Sequence, residues 1–326
     1  MAQFASMRTR LCELLNIEVP IVQAGMSIYT SPMLAAAVSN AGALGSLGIW
    51  QRTLEQVRSD LALLRESTDR PLALNHVVPD LDEEAFELTL RAAPAVMAFA
   101  LDDAGPLIPR AHDVGSLAMQ QVHTVQQAER AAEHGADLIV AQGGEAGGYG
   151  GTVSTLALVP QVVDAVDPVP VLAAGGMADG RGLVAALALG AVGVNLGTRF
   201  LAAAESQVGE RYKEAIRRSV SQDWVQVDYQ NAARPNPGAL GYGTRVRLLR
   251  TEFTDRHEGL LQDGRLNPAD VQAEMLAAIE QGRIDELFVS AGQSAGLVDD
   301  IETASDIVRR LVAEADDAYR LAGEAF

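Results

Sequence analysis

A single cysteine, Cys12, occurs in 326 residues, so no internal disulfide is possible and a small secreted scaffold is excluded. It lies in RTRLCELLNI, an amphipathic lead-in, and reads as a small core residue rather than a reactive thiol. Lysine is equally scarce: Lys213 stands alone beside 24 arginines, which reads as coding bias rather than chemistry. Positive charge is short overall, with a formal net charge of −18. A field of that sign argues against nucleic acid or an anionic membrane as partner, because phosphate binding needs clustered cations. No charge-free run of about 18 apolar residues marks a membrane span. The opening MAQFASMRTR lacks the apolar core of a signal peptide. A cytoplasmic protein is expected. No His/Cys/Asp spacing fits a metal site, so none is expected.

What the chain does have is apolar mass. Hydrophobic residues make up 48%, enough for one large α/β domain. Eight short apolar runs are strand candidates: 19–26, 43–50, 71–78, 95–102, 116–123, 137–144, 170–177 and 191–198. They are continuous rather than alternating, as parallel strands covered on both faces should be. Helix-like segments separate them. TVQQAERAAEHG opens on a Thr cap and closes on Gly135. GPLIPRAHDVG reads as a poor helix because Pro106 and Pro109 interrupt it. Eight βα units predict a (β/α)8 TIM barrel. A doubly wound open sheet would usually carry GxGxxG after its first strand, and here AGMSIYT follows instead. ESQVGERYKEAIRRS then reads as a helix, and residues 221–284 as an irregular, partly helical excursion on the substrate side, broken by Pro235 and Pro237. Residues 8–220 and 285–326 are expected to form the barrel with a C-terminal closing segment.

A barrel places its chemistry at the C-terminal ends of its strands. Those ends carry AGM, GIW, NHVV, DD, QVH, GGEAGGYGG, AGGM and GTR. The loops after strands 7 and 8 commonly bind phosphate. Gly175 and Gly176 would let backbone N–H groups approach an anion, a helix starting near Asp179 would add its dipole, and Gly197 and Thr198 would add donors. The blander reading of these glycines is tight turns alone.

The runs PIVQAGMS, NAGALGSLG, DLIVAQGGEAGGYGG and PVLAAGGMADGRGLVAALALGAVGVNLGTRFLAAAES resemble the nitronate monooxygenase family. That family was formerly called 2-nitropropane dioxygenases and is related to flavin-dependent enoyl-acyl-carrier-protein reductases. The similarity spans roughly residues 8–210 in order, and AGQSAG (291–296) matches a further element. The resemblance implies an FMN-dependent TIM-barrel oxidoreductase, with NAD(P)H as a candidate electron donor. It implies that Ala24, Gly25 and Met26 line the flavin and that Asn75 faces the isoalloxazine. Gln121 would lie near the ring or ribityl chain, and Gly147 would border the flavin. Gly176, Gly197 and Thr198 would hold the phosphate, and Gln293 would close the site.

In that family the strand-6 loop reads EAGGH, and its histidine is the proposed base. Here the matching residue is Tyr149. Phenol, with a pKa near 10, is a poor base at neutral pH but a competent donor. Removing a proton from a neutral nitroalkane should be impaired, whereas an ionised nitronate needs no base. Tyr149 would otherwise bind a carbonyl oxygen, protonate carbon, or only pack over the flavin. His76 is a second catalytic candidate, although strand alternation sets it opposite Asn75. His123 ranks below it, and His112, His134 and His257 read as surface helix residues. Glu145 reads as a structural carboxylate ahead of an acid–base group. Asp102 and Asp103 are a minor candidate pair. Arg234, Arg245, Arg247 and Arg250 would either meet the phosphates of a carrier or lie solvated. The expected activity is oxidation of nitronates with O2. The alternatives are an NAD(P)H-dependent enoyl-thioester reductase and a barrel that binds flavin without turnover. A homodimer is left open.

Overall fold

The computed structural model describes residues 7–230 and 245–324. Eight parallel strands form the central sheet: β1 (Ile21–Gln23), β2 (Gly45–Gly48), β3 (Leu72–Val77), β4 (Val96–Ala100), β5 (Leu117–Val122), β6 (Leu138–Gln142), β8 (Val171–Ala174) and β9 (Gly193–Leu196). Their order is β1-β9-β8-β6-β5-β4-β3-β2. The two ends meet: Val22 bridges Leu44, the Gln23 N–H donates to Leu44 O, and the Leu44 N–H donates to Ile21 O, both at 2.9 Å. The sheet is therefore a closed (β/α)8 barrel, and each expected strand lies within its apolar run.

Register shows which side chains point inward. Ala98 pairs with Met119, Val140 with Leu172, and Ala174 with Asn195, so these face one way. Val22, Leu44, Ala73, Leu138 and Leu172 join them in the barrel interior. The amino-terminal helix Arg10–Leu15 plugs the lower end with Leu11, Cys12 and Leu15. Cys12 is fully buried there, so it is the core residue expected. The opposite strand faces pack against the surrounding helices in a larger cluster that includes Phe86, Phe99 and Val162. The last helix, Ala304–Gly323, packs on Pro32–Asn40 and Gly180–Ala188 and fills the final place in the helical ring. Gly180 permits this approach, since a Cβ there would strike the backbone at Glu314 and Ala315.

Two local expectations are corrected. The segment after β4 does form a helix, Ile108–Asp113, because Pro109 occupies its first turn, where no N–H bond is required. The excursion is also more regular than its composition suggests. β10 (Trp224–Val227) and β11 (Arg245–Leu249) pair antiparallel, and β11 pairs with β7 (Gly148–Gly150) from the strand-6 loop. Two helices follow, Glu252–Gln262 and Pro268–Glu280. The small sheet has its own hydrophobic cluster around Tyr229, Val246, Leu248 and Phe253. Arg234, Pro235 and Pro237 lie outside the described residues. No helix among the described residues is long and apolar enough to cross a membrane.

Candidate active site

The upper end of the barrel is polar where the lower end is apolar. Asn75 pairs with Gly48 and Ala98, Gln121 with Val140, Gln142 with Ala174, and Asn195 with Val22. By alternation all four side chains face the barrel axis near the mouth. Ser46 pairs with inward-facing Ala73 and joins them. Ser46 Oγ and Asn195 Oδ1 are buried and have no hydrogen-bond partner among the described residues. A buried polar atom left unsatisfied costs about 1–3 kcal/mol, which a bound polar ligand would recover.

Glycine shapes the walls of this mouth. A Cβ on Gly25 would collide with the Asn75 side chain, and one on Gly197 would touch Met26 Sδ at 3.4 Å. Gly175 and Gly176 have φ of 99° and 76°, a region that other residues rarely adopt. The orphaned polar atoms and the glycine-lined strand ends fit a planar, phosphorylated cofactor such as FMN. In such a site Asn75, Gln121 and Asn195 would face the ring system, with Ala24, Gly25 and Met26 beside it. The loops at Gly175–Gly176 and Gly197–Thr198 would hold the phosphate. The helix Gly180–Ala188 offers fewer free N–H groups than expected. Its first N–H groups are already taken: Asp179 Oδ1 accepts from Gly182 N at 3.1 Å, and Glu314 Oε2 accepts from Gly180 N at 3.0 Å.

The glycine-rich loop 143–151 is held from three sides. Glu145 Oε2 accepts from Thr155 N at 2.8 Å and Thr155 Oγ1 at 2.9 Å, capping the helix Thr155–Val166. That is the structural carboxylate role expected of it. Gly147 meshes with the carboxy-terminal segment, where an added Cβ would lie 2.6 Å from Ala291 C. Gly292 N donates to Thr198 Oγ1 at 2.8 Å, and Gln293 N donates to Glu145 O at 2.9 Å. Gln293 thus closes the loop through its backbone. From the excursion, Arg247 reaches under the loop. Its guanidinium donates to Gly144 O, Ala146 O and Trp224 O.

This placement corrects the reading of the arginine cluster. Arg247 is buried on backbone carbonyls, Arg245 pairs with Asp228 at 2.6 Å, and Arg250 lies 3.8 Å from Asp255. Among the described residues Arg245 and Arg247 tie the excursion to its surroundings, and these three arginines form no anion patch; Arg234 lies outside the described residues. Asp102 and Asp103 likewise shape a turn: Asp102 Oδ1 accepts from Asp103 N, and Asp103 Oδ1 accepts from Gly105 N.

Tyr149 lies in β7 opposite Val246, and its ring packs against the excursion cluster. Its carbonyl accepts from Gln142 Nε2 at 2.9 Å, so its backbone sits directly over the mouth. His76 is placed elsewhere. It faces outward from β3, with Nε2 2.9 Å from Thr89 Oγ1 and its ring edge-on to Phe86 at 5.1 Å. Burial pushes its pKa down to about 3, so the geometry leaves it a packing role rather than a catalytic one. His123 is the histidine brought beneath the glycine loop. Its Nδ1 lies 3.4 Å from Gln142 O, and a Cβ on Gly151 would come within 3.0 Å of its Cβ. Burial pushes its pKa down to about 4. His257 is not on the surface as expected but buried against Tyr229 and Phe253, with Nε2 3.3 Å from Glu274.

Sequence reasoning missed Gln142, Asn195 and Ser46. The signal was available for the first two: polar residues inside otherwise apolar strand runs, in phase with their inward neighbours. It also missed Arg247 as a support for the loop, which only the strand pairing reveals.

Comparison with known proteins shows the family. The family profile described as nitronate monooxygenase matches residues 8–87 and 82–314. A Rhodococcus jostii protein named (3aS,4S,5R,7aS)-5-hydroxy-7a-methyl-1-oxo-octahydro-1H-indene-4-carboxyl-CoA dehydrogenase is 32% identical, over 95% of this chain and 96% of its own. The structure of FabK from Thermotoga maritima superposes with a TM-score of 0.87 at 31% identity, covering 98% of this chain and 100% of that one. A nitroalkane oxidase from Streptomyces ansochromogenes gives 0.80 at 27% identity, covering 96% and 99%. Matched along nearly its whole length, with the glycine-walled mouth intact, the chain belongs to the nitronate monooxygenase family and is a flavin-dependent oxidoreductase.

Proposed function

We propose that the chain is an FMN-dependent oxidoreductase acting on a carbonyl-activated substrate carried as a thioester, with NAD(P)H as electron donor. The observation that carries this reading is the absence of an effective base at the mouth, among the described residues. In the strand-6 loop Glu145 is committed to Thr155, which leaves the phenol of Tyr149, and burial of His123 beneath the loop pushes its pKa down to about 4. Chemistry that starts by removing a carbon-bound proton is poorly served there. Adding a hydride and a proton across a double bond conjugated to a thioester needs a hydrogen-bond donor instead. The net reaction consumes the alkene, NAD(P)H and one proton and yields the saturated thioester and NAD(P)+. Bound FMN supplies a two-electron relay.

In this reading the polar ring holds the flavin and excludes bulk water. Tyr149, half-buried at the seam between mouth and excursion, donates to the substrate carbonyl. Two similarities support the thioester: the relative matched over 95% of this chain is named for a CoA ester, and the FabK fold superposes at 0.87. Oxidation of nitronates with O2 is the second reading, favoured by the family profile. Anaerobic titration separates the two. Bleaching of the flavin by NAD(P)H and recovery of its colour on adding an enoyl thioester are expected. Bleaching by an alkyl nitronate alone would reverse the order of the readings.

A further inference from the structure

Beside the mouth, on the rim above β1 and β2, lies a second cavity of about 620 Å³ that opens to solvent. Its walls come from the turn Ser27–Tyr29, from the loop after β2, from the start of the helix Glu210–Arg218, and from Asp285. The turn follows Met26 directly, with Tyr29 N donating to Met26 O at 3.0 Å, so cavity and mouth share one wall. That wall is held in a costly shape. Ser27 and Gln51 both have left-handed backbones, with φ of 52° and 67°, and Ser27 Oγ donates to Trp50 O at 3.0 Å. Non-glycine residues kept in that region mark sites where geometry is enforced by the surroundings.

The lining has a definite chemistry. Its one cation, Arg52, is committed to Asp60 at 2.6 Å, to Gly48 O and to Thr30 O. Asp285 makes no hydrogen bond or ion pair among the described residues, although Arg211 lies near enough to act on it electrostatically, so the lining residues themselves carry one more carboxylate than cations. A phosphate would find no free cation there and would face a carboxylate. Gln51 and Gln56 offer amides; Gln56 Oε1 accepts from Thr53 N at 2.8 Å, which leaves its NH2 to donate. Ile28, 39% exposed, and the tilted ring pair Tyr29–Tyr212, 5.5 Å apart, supply apolar surface. Tyr212 OH is already engaged with Ser290 O and N, so it presents only its ring.

We propose that this cavity receives the neutral, amide-bearing arm of the thioester substrate, its amides on Gln51, Gln56 and Asp285 and its aliphatic part on Ile28 and Tyr29. Any phosphate at the far end of the arm stays in solvent. This rests on the thioester reading and deepens it.

The test compares crotonyl-pantetheine with crotonyl-N-acetylcysteamine on the flavin-loaded protein, alongside calorimetric titration with free pantetheine. The longer thioester should have a KM about tenfold lower at similar kcat, equivalent to one long arm's worth of extra contact. Asp285→Asn, and independently Ile28→Trp, which sets an indole where the aliphatic part of the arm would lie, should raise that KM towards the value for the short thioester and change the short one, which keeps only the first amide, far less. Free pantetheine should bind the parent protein and lose its binding in Ile28→Trp. Equal KM values for the two thioesters, or no binding of pantetheine to the parent, would overturn the proposal. Pantetheine binding that Ile28→Trp abolishes, with neither thioester turned over, would sustain the arm site and reject the reductase reading alone.

Discussion

The two ends of the barrel are built from the same eight strands and do opposite work. At the lower end, Leu11, Cys12 and Leu15 of the amino-terminal helix join inward-facing Val22, Leu138 and Leu172 in one apolar cluster. At the upper end the same strands present Asn75, Gln121, Gln142 and Asn195, and among the described residues Ser46 Oγ and Asn195 Oδ1 have no partner. One end is satisfied by its own chain and contributes stability. The other is complete only with something bound. The difference shows how a single strand serves both tasks: its first inward residue packs and its last inward residue waits for a ligand.

The comparison can be broken at four points. Leu11→Ala removes a fully buried side chain from the plug and should cost about 2–5 kcal/mol of unfolding free energy, with flavin affinity unchanged once folded. Denaturant melts with cofactor content measured in parallel would show it, and a variant that loses flavin at unchanged stability would erase the division of labour. Arg247→Met strips three carbonyl partners from beneath the glycine loop and should cost about 3 kcal/mol, with the loss felt at the upper end. Limited proteolysis should then cut near residues 143–151 first.

Acid should act through both buried histidines. His76 and His123 titrate near 3 and 4 when folded, and near 6.5 once unfolded. Between those values the unfolded chain binds more protons. Stability is therefore full above about pH 6.5 and falls as pH drops towards 4, by about 1.4 kcal/mol per unit for each histidine. His76→Gln should flatten that slope by one histidine's share; an unaltered slope would mean that the ring is not buried as described. The smallest effect on stability is expected from Asn195→Leu. It removes an unsatisfied buried oxygen, so the cofactor-free protein should change by within about 1 kcal/mol, while flavin binding weakens about tenfold or more. Equal losses in both would place Asn195 with the plug rather than the site.

Much of this was legible before any coordinates. The apolar runs located all eight strands because strands covered on both faces need little else. The clustering of Gly and polar residues at strand ends located the mouth. Alternation already sets His76 opposite Asn75 in the sequence, but only the packing of β3 shows that His76 is the one facing the helices, against Thr89 and Phe86. The excursion was misread because strands as short as Trp224–Val227 and Arg245–Leu249 carry too few residues to declare a period. The second partner of β11, β7, lies about a hundred residues earlier in a stretch that reads as pure loop.

The sequence by itself determined the barrel, its family and the loss of the usual histidine, since hydrophobic periodicity and residue identity are local properties. Tertiary structure alone decided that Tyr149 is bound into a second sheet, that Arg247 is a buttress rather than an anion site, and that Ser46 Oγ and Asn195 Oδ1 find no partner among the described residues. Those outcomes depend on which distant backbone groups come within about 3 Å of one another, and hydrogen bonding is too short-ranged to be read from a linear pattern.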